Sequence, residues 1–211
     1  MKAEQQGHAL PTLMVMLSVA SLAALLAMRG LWINDQWLNA QADRLRSQHL
    51  AEAVLPIAVQ DITGLPAATH RVGEATPNMR HTVGSAEQTH AFFPLSTDEY
   101  DLLRQRLGAS TCKTGICAPL SPIAWPKASD WKAQVATAMT VNATDSPYGT
   151  NTAWYWVEVF QQETSGTFVY RITTLATGVR PGSTTVLQAV WTRSTPTATS
   201  GQWHSWQILH D

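Results

Sequence analysis

Few residues in this chain have the type and spacing that chemistry needs. Cys112 and Cys117, in CKTGIC, are its two cysteines. A close isolated pair in an oxidising compartment forms one disulfide across a small loop. A redox motif would be C-x-x-C, and the spacing here is wider. A zinc site would want two more ligands, and no Cys/His group at metal-finger spacing exists. His49 and Glu52 stand one helical turn apart, a spacing that can hold a metal. The sequence offers them no third ligand, and a solvated helix face is the simpler reading. His70, His81 and His90 are spread too irregularly for a site.

Asp98, Glu99 and Asp101 could pass for a catalytic cluster. They follow Ser96 and precede YDLLRQRL and Gly108, the pattern of a capped helix with an acidic first turn, a basic last turn and a glycine stop. The oxygen-rich loop 142–151 lacks the spacing of a known calcium loop. Asn142-Ala-Thr144 matches a glycosylation acceptor, a weak signal in any chain. There is no G-x-S-x-G, H-E-x-x-H, P-loop or Rossmann glycine run. The expectation is therefore a non-enzyme with no catalytic, cofactor or metal residues.

The elements that would carry these residues are clearer. From Ala9 to Met28 no side chain is charged. About 20 apolar residues at 1.5 Å each match the hydrocarbon thickness of a bilayer. A helical pattern continues without a break towards Gln60, with Trp32, Leu38, Leu45 and Ala53 near one stripe and Asp43, Arg44, Arg46 and Glu52 on the solvent side. Pro56 would kink or end this helix, and Thr63-Gly64 ends it in any case. Residues 65–95 read as a long connection with at most a short strand. Trp131 to Met139 is ambiguous between helix and strand.

From Ala153 the signal is β: AWYWVEVFQQ, TFVYRITTLATG, STTVLQAVWTR and QWHSWQILH. Short connections favour an antiparallel meander. Phe168, Tyr170 and Ile172 share one face; Val169, Arg171 and Thr173 share the other. Trp154, Trp156, Trp191, Trp203 and Trp206 read as core first and as a partner surface second. The fold class expected is α+β, a long N-terminal helix packed on a C-terminal antiparallel sheet. Net charge is −1 with a pI near 6.6, which gives no basic footprint for nucleic acid.

The first thirty residues admit three readings. One is a signal peptide with Ser21-Leu22-Ala23 as its cleavage site; the helical pattern running past that point opposes it. The second is a plain anchor, whose orientation Lys2, Arg29, Arg44 and Arg46 leave undecided. The third rests on QQGHALPTLMVMLSVASLAALLAMRG, which resembles the start of a type IV prepilin: a short hydrophilic leader ending in Gly, then an apolar helix.

The Ala27-Met28-Arg29 junction, QADRLRSQHLAEAVLPIA, FVYRITTLATG, TTVLQAVWTR and the C…GIC loop look similar to the PilX-type minor pilins. The resemblance covers the first 60 or so residues, the cysteine pair and 168–193. It implies a leader 1–7 cut between Gly7 and His8, a transmembrane and filament-core helix 8–28, an amphipathic continuation 29–62 and a head 63–211. It implies a role in priming or capping pilus assembly at the tip. The partners it implies are other minor and major pilins, a large tip adhesin, prepilin peptidase and the inner membrane, with the head in the periplasm before assembly. Shaft pilins carry Glu at the fifth mature position; here that position is Thr12, as in PilX-type and GspK-type proteins that also lack the acid. The alternatives are a GspK-like pseudopilin of type II secretion and a singly anchored periplasmic binding module.

Overall fold

The computed structural model describes residues 9–64, 71–72, 80–81, 83, 89–142, 152–162, 167–180 and 182–210. The Gly7–His8 junction, His70 and the loop 143–151 lie outside them. The chain divides into two compact units, 1–42 and 43–211.

Helix α1 spans Ala9–Thr63. In the first unit its large apolar side chains, from Leu10 to Leu38, are all exposed. It is long and apolar enough there to cross a membrane. Pro56 does not end the helix. It lies on the exposed side, one turn after half-exposed Glu52, so water can pair the carbonyl that its missing N–H leaves free.

In the second unit the buried stripe of α1 is Asp43, Ser47, Leu50, Ala51, Val54, Ala58, Asp61 and Ile62. This corrects the expected stripe: Trp32, Leu38, Leu45 and Ala53 are exposed, and Asp43 is buried. The reason is polar. The Asp43 carboxylate accepts the backbone N–H groups of Val179 and Arg180, both at 2.9 Å. Ser47 Oγ meets Thr185 Oγ1 at 2.8 Å, and Thr174 Oγ1 donates to the Ala51 carbonyl at 3.0 Å. Alanine at 51 and 58, both fully buried, lets the helix approach the sheet closely enough for that contact.

The sheet begins with a short strand, β1 (Arg71–Val72). Helix α2 (Thr97–Leu107) follows, capped by Ser96 Oγ accepting from the Glu99 N–H and closed by Gly108, as its sequence signals. Strands β2 (Cys112–Lys113) and β3 (Ile116–Cys117) form a small hairpin. Helix α3 (Ala128–Ala133) and a 3-10 turn at Val135–Thr137 resolve the ambiguous segment as helix, and β4 (Met139–Asn142) follows.

Strands β5 (Thr152–Gln161), β6 (Phe168–Thr177), β7 (Thr184–Arg193) and β8 (Gly201–Leu209) make the antiparallel meander. The sheet runs β1-β4-β5-β6-β7-β8. It has more strands than the meander alone because β4 pairs with Thr152–Tyr155 of β5 and β3 pairs, parallel, with Val157–Glu158.

Both faces of the meander are buried at its centre. Tyr155, Val157, Tyr170, Ile172, Leu187, Ala189 and Trp191 pack beneath α1. Trp156, Leu175 and Val186 pack on the far side against Trp131, Ala128 and the cysteines. That is why β5 reads as an almost unbroken apolar run rather than a clean alternation.

Trp131 anchors the far face. Its ring stands edge-on to Trp125 at 4.7 Å and 5.1 Å from Trp156, and its Nε1 donates to the Trp125 carbonyl. Glu158 and Arg171, cross-strand partners in the register, hold the connecting segment 118–127 there. Glu158 Oε1 accepts the Ile123 N–H at 2.9 Å, and Arg171 donates to the Ile123 carbonyl at 2.7 Å. Burial pushes the Glu158 carboxyl above its ordinary value, although Arg171 and the Ile123 N–H pull the other way.

Burial also opposes ionisation of Asp43. The Ser183 hydroxyl, the N–H groups of Arg180 and Val179, and Arg46 outweigh it, so the carboxyl is held below its ordinary 3.8. In the unfolded chain Asp43 takes up its proton first as acid is added. Its contribution to stability is therefore complete above 3.8 and is lost as pH falls through the lowered folded value. Asp43→Asn should cost about 1.5–3 kcal/mol at neutral pH and should lose less further stability in acid than the natural chain. Urea unfolding of the full chain in micelles, at neutral and acidic pH, measures both; parallel losses in the two proteins would contradict this account of Asp43.

Candidate functional site

The residues with chemical potential are placed by the fold as follows. Cys112 and Cys117 are bonded to each other and face each other across the β2–β3 hairpin. The turn between them needs Gly115. It has a φ of 78°, and a Cβ there would sit 2.8 Å from the Met139 backbone nitrogen and 2.9 Å from the Tyr155 carbonyl oxygen. The hairpin is thereby pressed against β4 and β5.

His49 and Glu52 form an exposed pair at 3.5 Å on α1. His81 stacks on Phe93, and burial lowers its pKa. Asp98 and Glu99 sit in the first turn of α2, where they complement the helix dipole. Among the described residues no three His, Cys, Asp or Glu come together at metal-holding distance.

The structure also joins residues that no local pattern connects. Asp61, in the last turns of α1, accepts from Arg80 Nε at 3.0 Å and from the Tyr155 hydroxyl at 2.7 Å. Arg80 continues to the Thr114 carbonyl at 2.8 Å, so the end of α1, the connection after it and the cysteine hairpin share one buried cluster. Arg193 donates to the Ile62 carbonyl and lies over the Tyr170 ring at 5.9 Å. It satisfies a carbonyl that the end of the helix leaves open. These bonds tie β5, β7 and Arg80 to the last turns of α1.

The tryptophan group divides. Trp156 and Trp191 are core and Trp154 is half-buried, whereas Trp203 and Trp206 are 48% and 62% exposed. Both exposed rings lie on β8, which among the described residues pairs with β7 along one side only. The register pairs Ser205 with Val190 and Trp203 with Trp191, which leaves His204 as a bulge. The extra residue brings Trp203 and Trp206 to the same face although three positions separate them.

Together with Leu55 of α1 and Ala189 of β7 they line a groove of about 380 Å³. Gly201 is required at the start of the strand, because a Cβ there would collide with the Trp191 ring and the Thr192 carbonyl. A second hollow, about 520 Å³, lies between the end of α2 and the cysteine hairpin, with Arg104, Thr111 and Pro119 in its lining.

No protein family, characterised protein or solved structure matches the chain. What the geometry offers for function is surface. One surface is the apolar side chains all round α1 from Leu10 to Met28. The other is β8, from Gly201 to Leu209, with no Asp, Glu, Lys, Arg or Pro in it. Edge strands that must stay unpaired normally carry such residues.

Removing the disulfide tests how firmly the hairpin is held. A bridge across a sequence separation of five stabilises by about 2 kcal/mol through loop closure. Cys112→Ser/Cys117→Ser should lower head stability by about that amount, and dithiothreitol should do the same to the natural chain but not to the variant. Unchanged unfolding after reduction would show that the contacts around Gly115 suffice alone.

Proposed function

We propose that this chain is a minor pilin of the PilX type, a non-catalytic subunit that primes or caps a type IV pilus. The observation that carries the reading is α1. One helix exposes a continuous apolar surface over residues 10–28 and, from Asp43 onward, is bonded into an antiparallel sheet. Such a helix serves two environments in turn. In the membrane its side chains face lipid, and in a filament they face the equivalent helices of neighbouring subunits, so the apolar surface stays away from water throughout.

In this reading prepilin peptidase cuts between Gly7 and His8, outside the apolar segment, and the helix remains as the anchor. Thr12 leaves no carboxylate to pair with the N-terminal amine of a subunit ahead, which suits a subunit at the tip. The uncharged β8 edge is a surface for the tip partners, other minor pilins or a large adhesin. A GspK-like pseudopilin carries a large inserted α-domain; the helices described beyond α1 have 11 and 6 residues.

Deleting the chain in its host should abolish or sharply reduce surface filaments seen by electron microscopy, while secretion of exoproteins continues. Restoring it with Trp203→Ser/Trp206→Ser should leave the head folded, because both rings are exposed, yet restore fewer filaments than the natural chain. Normal filaments after deletion would leave the singly anchored module as the better reading. Lost secretion with intact pili would favour the pseudopilin.

A further inference from the structure

The segment between the end of the uncharged run and the head has a pattern of its own. Leu31, Trp32, Ile33, Trp37 and Leu38 are all more than half exposed; Trp32 is at 64% and Trp37 at 63%. They do not form a stripe. At 100° per residue, and counting from Leu31, Trp32 stands at about 100°, Ile33 at about 200°, Trp37 at about 240° and Leu38 at about 340°. Asn34, Asp35 and Gln36 stand at about 300°, 40° and 140°, so polar side chains interrupt the apolar ones on every side of the helix.

That distribution identifies the environment. A protein groove covers one side of a helix and would leave the remaining apolar side chains in water. Bulk water would leave all five exposed. The hydrocarbon interior would bury Asp35 without a charge partner. The head-group zone of a bilayer surrounds the helix on every side and accommodates both kinds of side chain, and it is where Trp is enriched. The position agrees. Trp32 lies about 6 Å along the helix beyond Met28, and Trp37 about 7.5 Å further. Arg29, between the apolar run and Trp32, has the long stem that lets a cation reach the head groups.

We propose that residues 29–38 form an interfacial collar whose partner is the phospholipid head-group layer, with Trp32 and Trp37 as two rungs that fix how deep α1 sits. The proposal rests on the membrane-anchoring part of the reading above, and it adds a binding surface for lipid on a segment that belongs to neither the apolar run nor the sheet-bound stripe. The collar is local. It does not depend on which filament, if any, the subunit later joins.

The test uses the full chain reconstituted in vesicles of phosphatidylcholine and phosphatidylglycerol, beside its Trp32→Phe/Trp37→Phe variant. Subtracting the two emission spectra isolates these two rings from the other tryptophans, and neither substitution touches the core of the head. The difference emission should be blue-shifted from that of indole in water. It should lose more intensity to lipid brominated near the head group than to lipid brominated at the chain end. Difference emission quenched by aqueous iodide and untouched by brominated lipid would overturn the collar. So would stronger quenching from the chain end, which would place the rings in hydrocarbon. Flotation of the same vesicles separates the two claims: a protein that floats but fails the quenching test keeps the anchor and loses the collar, and one that does not float loses both.

Discussion

Everything in the head is organised by the fixed seat of α1 on the sheet. Residues 43–63 are held by polar bonds at both ends and by close packing between. At one end the Asp43 carboxylate takes two backbone N–H groups from the β6–β7 turn. At the other, Arg193 of β7 reaches the Ile62 carbonyl, while Tyr155 and Arg80 converge on Asp61. Leu50, Ala51, Val54 and Ala58 fill the space between. A helix held only by apolar contacts can slide by a turn at modest cost, because such contacts are non-directional. Bonds at two separated points fix its register.

That seat determines what remains uncovered. With α1 on one face, and α3, the 118–127 segment and the cysteine hairpin on the other, the centres of the middle strands are covered on both faces among the described residues. The opposite edge of β5 is closed twice, by β4 and by β3. The long sheet edge that stays open among the described residues is β8, whose exposed tryptophans a bulge aligns beside Leu55. The fold thus presents an aromatic edge on the head and an apolar sleeve on the first part of α1. The assembly role proposed above would use surfaces of this kind.

Much of this was legible in the sequence where the signal is local. The four long strands, the Ser96 cap, the Gly108 stop and the end of α1 at Thr63-Gly64 follow from periodicity and from residues that satisfy nearby backbone groups. The cysteine pair followed from its isolation and short separation. The reading failed where a partner is distant in the chain. Asp43 looks like a solvent-facing acid until the β6–β7 turn, over a hundred residues later, supplies its donors. Leu45, Trp32 and Leu38 look like core until the true stripe is seen to mix serine and aspartate with alanine. The second core behind the sheet left no periodic trace, because a strand buried on both faces has no alternation to show. Of the tryptophans on the sheet, Trp203 and Trp206 are surface, and no rule of composition separates them from Trp191; the difference is that, among the described residues, no strand pairs with β8 beyond β7.

The central claim is that α1 begins as a processed prepilin helix. The mature N-terminus, determined by mass spectrometry on chain recovered from membranes and from sheared filaments, tests it most directly. The account predicts a chain beginning at His8, with or without one methyl group on its amine. A chain beginning at Ala24 would make the apolar run a cleaved signal, and one retaining Met1 would make it a plain anchor; either result contradicts the account.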